Sequence, residues 1–378
     1  MSMKYFLNKL MNIFIFNSLK LFRVFKIRKK NIIFLSFDGK QISGSPLYIF
    51  EYISERYKNE YTINWVLQKS KIITNQRKDI NIIEKGSLKF YFKILTSKYI
   101  ITNDRINSFI PVSAKQVLVN TWHGGGLFKK TYPISLDKKR YDYIKWLNHR
   151  DSKRTTLYLS SSQKWTENVL RSTFDYKGQV CNSGLPRNTI FFNKKNKKIK
   201  EKLNIPVNDG VILFAPTFRT NLNNSHENLK IENCINLWEK KESKKFHFLY
   251  RGHHMANKSS LTGSFVDVSN YSDMQELLSI SDVFISDFSS SLWDFSLTKR
   301  PSFIFAPDIK DFDKKNGFES NYKSWPFDIA NSNSELILNM TNYNQSEYTD
   351  KISKYHRDLT SYENYESTKK AVNLILSL

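Results

Sequence analysis

The stretch that decides the fold reads SDVFISDFSSSLWDFSLTKRP, from Ser281 to Pro301. Asp282 to Ser286 is apolar, β-branched and aromatic without polar alternation, the pattern of a short strand buried on both faces. Asp287 stands where that strand leaves its sheet. Ser289, Ser290 and Ser291 follow, then a helix-like run from Leu292 to Leu297. Lys299, Arg300 and Pro301 end it, and Ser302 to Phe305 is the next strand. A strand, a serine-rich turn and a helix start form a natural anion site. Unpaired N–H groups and the helix dipole point into the turn, and the hydroxyls add donors. The same serines can also act only as helix caps, although one would suffice for that.

Outward from this stretch, strands and helices alternate. Strands are expected at Asn31–Ser36, Tyr61–Leu67, Ile80–Ile83, Tyr99–Thr102, Gln116–Val119, Thr156–Leu159, Gln179–Cys181, Val211–Phe214, Phe246–Tyr250 and Ser264–Val266. Helical runs are expected at Ser45–Arg56 and Lys89–Ser97. Such alternation argues for an α/β fold with parallel, doubly wound sheets. Residues 193–209, rich in Lys and Asn and followed by Gly210, read as a linker between domains 31–192 and 210–345. Residues 346–378 read as a helical segment, with Val372, Ile375 and Leu376 able to pack back on the first domain.

The chain has 378 residues, is 40% hydrophobic and carries a formal net charge of +24. It can therefore build real cores, and it expects an anionic partner. Cys181 and Cys234 exclude a disulfide scaffold and fit a reducing compartment. Residues 1–30 hold Lys4, Lys9, Lys20, Arg23, Lys26, Arg28, Lys29 and Lys30, and the first acidic residue is Asp38. Apolar residues lie between the basic ones, with no run of the ~20 needed to span a bilayer. The segment reads as a basic amphipathic stretch lying on anionic lipid. The alternative is a helix packed on the protein with a solvated basic face.

Four other turns follow strands: Trp122-His123-Gly124-Gly125-Gly126, Gly184-Leu185-Pro186-Arg187-Asn188, Ala215-Pro216-Thr217-Phe218-Arg219 and Arg251-Gly252-His253-His254. Singly, each suits an ordinary turn. Ligands of open α/β sheets bind at the carboxyl ends of strands, so the set marks a site for a diphosphate and a proton transfer. Neither a dinucleotide fingerprint nor a P-loop occurs. Asp311-Phe312-Asp313 has the form of a metal-binding triplet in a Lys-flanked loop, where chance suffices to explain it. No metal and no cofactor is expected. Nucleic acid is not the expected partner, because the basic residues are spread along the chain and no reading module is present.

In order, Trp122-His123-Gly124, Gly184 to Asn188, Ala215 to Arg219, Arg251-Gly252-His253, Ser286-Asp287-Phe288-Ser289-Ser290 and Lys299-Arg300-Pro301 resemble the CDP-glycerol glycerophosphotransferase family. Lys202-Leu203-Asn204-Ile205-Pro206 belongs to the same likeness, which runs from about Asn31 to Pro326. The resemblance implies a GT-B fold, two Rossmann-like domains facing a cleft. It also implies transfer of glycerol or ribitol phosphate from a CDP-alditol to an acceptor hydroxyl, with release of CMP. It implies a lipid-linked or polymeric glycan acceptor and work at the cytoplasmic face of the membrane. Carried over by residue, His123 is the acceptor's base and His253 faces the donor phosphates, with His254 as its substrate-binding neighbour. Asp287 is the acid before the serine pair, and Ser289 and Ser290 bind phosphate. Gly124, Gly125, Arg187, Arg219 and Arg251 are the remaining substrate-binding candidates. Gly125-Gly126, Asn316 and Pro326-Phe327 depart from the family pattern, which leaves the alditol open. A sugar-nucleotide glycosyltransferase of the same fold is the rival reading.

Overall fold

The structure, a computed structural model, describes residues 3–73, 77, 79–193, 197–217, 229–252, 261 and 263–378. It divides into two compact units. Unit 1 comprises Met1–His123, Leu136–Thr189 and Tyr362–Leu378; unit 2 comprises Gly124–Ser135 and Ile190–Ser361.

Unit 1 holds a seven-stranded parallel sheet. Its strands are β1 (Arg28–Leu35), β2 (Thr62–Leu67), β3 (Ile82–Glu84), β4 (Ser97–Thr102), β5 (Val117–Asn120), β6 (Leu157–Leu159) and β7 (Gln179–Cys181). The order is β3-β2-β1-β4-β5-β6-β7, so it reverses between β1 and β4. Ile32, Ile33 and Phe34 are wholly buried, as expected for a strand covered by helices on both faces. Phe34 stacks on Trp65 of β2 with centroids 5.2 Å apart. Each such side chain contributes about 1.5–3 kcal/mol through burial. The C-terminal helix Ser367–Ser377 closes this core, with Val372 and Ile375 set among Ile49 and Ile53 of helix Gly44–Arg56.

Unit 2 holds six parallel strands: β8 (Gly210–Phe214), β9 (Phe246–Tyr250), β10 (Val266–Asp267), β11 (Val283–Ser286), β12 (Ser302–Phe305) and β13 (Asp328–Ala330). Their order, β10-β9-β8-β11-β12-β13, repeats the winding of unit 1 and reverses between β8 and β11. The opening stretch is thus β11, a short turn, the helix Ser291–Ser296 and β12. Arg300 does more than end that helix. Its guanidinium donates to the carbonyls of Leu278, Ser279 and Ser281, closing the end of helix Met274–Ile280.

The compact units differ from the sequence-based domain limits in three places. Of the expected linker 193–209, the part from Lys197 is no free connection, since Ile199 and Ile205 lie in the unit 2 core. Gly124–Ser135 belongs to unit 2 through Lys129, which bridges Phe318, and Lys130, whose N–H donates to Gly317. Of the C-terminal segment, helix Gln345–Asp358 stays with unit 2, and only the part from Tyr362 joins unit 1.

The N-terminal helix Met3–Lys20 packs on unit 1. Tyr5 stacks on Tyr143, Lys9 covers Trp146, Asn12 accepts from Ser108, and Arg150 lies over Phe16. These contacts fall on one stripe at helical spacing. Leu7, Leu10, Met11 and Phe14 remain exposed, Phe14 at 73%. A bound helix and an outward apolar face therefore coexist. Arg28, Lys29 and Lys30 belong to β1, not to this helix.

His356 predicts a pH dependence of unit 2. The Ser296 hydroxyl donates to the Trp293 carbonyl, so His356 Nε2–H must donate to Ser296 Oγ (2.7 Å). Nδ1 is buried with no hydrogen-bond partner among the described residues. Charging it would bury an unpaired cation. Burial, then the nearby Lys299, pushes its pKa from 6.5 down to about 4. The depressed value means that the unfolded chain binds the proton more readily. Stability is thus complete above pH 6.5 and is lost as pH falls toward about 4, at up to about 1.4 kcal/mol per pH unit. In His356→Gln, denaturation across this range should flatten by that slope. An unchanged slope would clear His356.

Candidate active site

The carboxyl edge of the unit 1 sheet carries His123, three residues beyond Asn120, the end of β5. Three local features hold it. The Thr121 N–H donates to the Thr102 carbonyl of β4 (2.7 Å). Asn120 Oδ1 accepts from the Trp122 N–H (2.8 Å), which stabilises Trp122 at φ +52°. The imidazole stacks on Trp122 with centroids 4.6 Å apart. A left-handed tryptophan is costly backbone, and such strain tends to gather at functional sites.

His123 Nδ1 lies 2.8 Å from the main-chain oxygen of Asn103. A carbonyl only accepts, so Nδ1 carries the hydrogen and Nε2 carries the lone pair. Asn103 is fixed in turn. Its Oδ1 accepts from the Phe37 N–H (2.7 Å), and its Nδ2 donates to Ser36 Oγ (3.1 Å), which donates to the Ser43 carbonyl (2.7 Å). The exits of β1, β4 and β5 are thereby tied around one imidazole at the sheet's reversal point. Phe37 and Asp38 are left-handed as well, at φ +46° and +57°. Gly44 has φ +67°, and a Cβ there would meet Asn103 Nδ2 at 3.1 Å.

Sequence reasoning missed Asn103 and Ser36. Both directly follow strands, as the candidate His and Arg residues do, but an Asn or Ser there carries no chemical flag. Arg187, a substrate-binding candidate from the sequence, is buried at 3% exposure on the turn after β7. Gly124 is half-buried beside His123. Gly125 has a packing reason for lacking a side chain: a Cβ would stand 2.2 Å from Cδ1 of the buried Trp293 indole.

In unit 2, the turns after β8 and β11 meet at the second reversal point. Asp287 is 0% exposed and joins them. It accepts from the Thr217 N–H (3.1 and 3.0 Å), the Thr217 hydroxyl (2.8 Å) and the Phe288 N–H (2.6 Å). Ser286 Oγ donates to the Ala215 carbonyl across the same gap (2.7 Å). Ser289 Oγ donates to Ser291 Oγ (3.0 Å) and accepts from the Ser291 N–H (3.2 Å). Ser290, at the helix cap, makes no side-chain cap bond. So of the paired serines one is engaged in the cap and the other is not.

Arg251 follows β9, its N–H bound to the Phe214 carbonyl. Its Nη1 is buried with no hydrogen-bond partner among the described residues. Burial lowers its pKa, and Asp273 and Tyr271 oppose that. A buried guanidinium nitrogen with an open donor suits an anionic ligand. Arg219, His253 and His254 lie outside the described residues. Asp311 and Asp313 flank the buried Phe312 on helix Ile309–Asn316. Among the described residues, no group of three or more His, Cys, Asp or Glu could hold a metal ion.

Two parallel sheets of seven and six strands, wound alike, give the chain a GT-B fold. The family described as CDP-Glycerol:Poly(glycerophosphate) glycerophosphotransferase matches residues 15–377, and the chain belongs to it. It is a glycerophosphotransferase of the CDP-glycerol-dependent kind. The teichoic acid poly(glycerol phosphate) polymerase of Bacillus spizizenii W23 is 30% identical over 94% of this chain and 95% of its own length. The teichoic acid glycerol-phosphate transferase of Staphylococcus aureus is 27% identical over 93% and 94%. The chain spans about half (49%) of the poly(glycerol phosphate) polymerase of Bacillus subtilis 168. The wall teichoic acid polymerase TagF superposes with a TM-score of 0.82 at 26% identity, over 100% of this chain and 98% of that one. The S. aureus MnaA–UDP co-structure, at TM-score 0.54 and 10% identity over 92% and 96%, shares the fold alone.

Proposed function

We propose that this enzyme extends a teichoic-acid-like polymer. The acceptor hydroxyl gives its proton to His123 Nε2 and attacks the glycerol-bearing phosphorus of CDP-glycerol. The bond to CMP breaks, and CMP leaves. The observation that carries this reading is the Nδ1–H bond from His123 to the Asn103 carbonyl, which makes Nε2 the basic nitrogen. The turn after β11 and Arg251 hold the diphosphate, where charge develops during transfer. Asp287 positions that turn. Its oxygens already serve Thr217 and Phe288, which supports a holding role over a chemical one.

The test is product analysis with CDP-glycerol, CDP-ribitol and a UDP-sugar as donors. CMP release with CDP-glycerol and none of UDP from the sugar donor supports the reading. UDP release would favour the glycosyltransferase.

The acceptor is lipid-linked, and the enzyme works as a peripheral protein on the cytoplasmic face of the membrane. Among the described residues, no helix is long and apolar enough to cross a membrane. The outward face of helix Met3–Lys20, with Leu7, Leu10 and Phe14 exposed among basic residues, supports shallow insertion into anionic lipid. Leu10→Asp with Phe14→Asp should lower sedimentation with anionic vesicles at least about tenfold, since about two buried apolar side chains are lost. Retention at the original level would move the anchor elsewhere on the chain.

A further inference from the structure

A cavity lies in unit 1, at the opposite edge of the sheet from His123. It has a volume of about 620 Å³, within the usual range of small-ligand sites. The entrance of β1 and the helix Leu88–Thr96 form it. Arg28 pairs with Ser97 at the start of β4, whereas Asn103 follows its end. The length of β4 puts the cavity roughly 20 Å from the His123 site.

Its lining combines two chemistries. Phe25 and Phe92 meet edge to face, with centroids 5.4 Å apart, and Arg28 lies over the Phe92 ring at 5.5 Å. Lys26, Arg28 and Lys29 line the same cavity and are exposed. Lys93 is half-buried near Arg28 and Lys89, and Lys89 and Lys93 stand one helical turn apart. Like charges at that spacing destabilise a helix. Burial lowers the pKa of Lys93, and the charges of Arg28 and Lys89 lower it further. Residues 1–37 and the helix Leu88–Thr96 contain no acidic residue to offset these cations. The cluster is therefore a set of gathered positive charges whose natural counter-ion comes from outside these elements. Beside it, Leu21 and Val24 are 75% and 83% exposed. A purely polar polyanion would leave that apolar surface in water, whereas an amphiphile would cover it.

We propose that this cavity binds the phosphate headgroup of one anionic membrane phospholipid, with the acyl chains leaving past Val24 and Leu21. The inference rests on the membrane reading above but adds a discrete site to it. Lys26, Arg28 and Lys29 hold the phosphate oxygens through charge-assisted hydrogen bonds, and Phe25 and Phe92 pack against the glycerol and first methylenes. The enzyme is then oriented by a seated lipid, not only attracted by diffuse charge.

The test uses the full chain and dihexanoyl phosphatidylglycerol below its micellar concentration, followed by calorimetry. Parallel arms use dihexanoyl phosphatidylcholine, inorganic phosphate and a short glycerol phosphate oligomer. One saturable site for the anionic lipid is expected, with all three comparison ligands weaker. Arg28→Gln with Lys29→Gln should raise the dissociation constant at least about tenfold, the scale of a lost hydrogen bond to a charged group. Ile27→Trp keeps every charge and fills the cavity lining, so it should weaken binding as well. Leu10→Asp with Phe14→Asp should keep the short-chain lipid while losing vesicles, which separates failure of the cavity from failure of the helix. Wild-type affinity in both cavity variants would overturn the proposal. So would binding of the oligomer or of inorganic phosphate as tight as that of the lipid, since the site would then serve polyanions generally.

Discussion

With His123 replaced by alanine, transfer of glycerol phosphate is expected to fall by about two to four orders of magnitude, the usual worth of a positioned general base. The affinity for CDP-glycerol should stay as it is, because the proton acceptor acts on the other substrate. The arrangement gives a reason for so large a loss. The imidazole has one nitrogen committed to the Asn103 carbonyl, so the proton can go to Nε2 without a tautomer change. Asn103 is in turn held through Phe37 and Ser36. Asn103→Ala should therefore reduce turnover as well, by loosening the carbonyl that orients the ring. The measurements are CMP release at saturating donor and calorimetry of donor binding. A His123→Ala enzyme with wild-type turnover would remove this residue from the mechanism.

The second large effect is expected at Asp287. Its carboxylate is wholly buried and receives the Thr217 N–H and hydroxyl together with the Phe288 N–H. Asp287→Ala leaves all three donors without that acceptor inside the protein, at about 1–3 kcal/mol each. The expected cost to unit 2 is about 3–5 kcal/mol, in the range reserved for broken buried networks. Urea denaturation reads it directly. Asp287→Asn keeps the shape but turns an amide N–H toward a donor, so it should cost less stability while raising the KM for CDP-glycerol. If Asp287 took part in the chemistry, the asparagine variant would instead lose kcat at nearly unchanged stability and KM. An alanine variant that unfolds at the wild-type midpoint would deny the bridging role.

The strands most legible in the sequence were those buried on both faces. Val211 to Phe214 and Phe303 to Phe305 show as unbroken apolar runs, and Phe246 to Tyr250 as one broken only by His247; the structure has strands there. β13, only Asp328 to Ala330, is too short to carry a pattern, and no strand was expected there. The helix Lys138–Arg154 also went unread. Its buried residues are Asn148, Asp151 and Ser152, so apolar spacing gives no signal. Its hold on unit 1 is polar: Arg154 donates to Asp151 and to the carbonyls of Ile106, Asn107 and Ile110.

The sequence by itself determined the α/β class, the strand-end turns that carry His123, Arg251 and Asp287, and the likeness to the glycerophosphotransferases. Those are local properties, written in runs of five to ten neighbouring residues. The tertiary structure alone decided which nitrogen of His123 is basic, because the partner is a carbonyl just past the end of another strand, 20 residues away. It decided that Asp287 spans two turns separated by 70 residues. It also decided that Gly125 makes room for Trp293, and that the Gly124–Ser135 segment belongs to unit 2. Hydrogen bonds and close contacts between distant residues depend on strand order and register, and a linear pattern does not encode either.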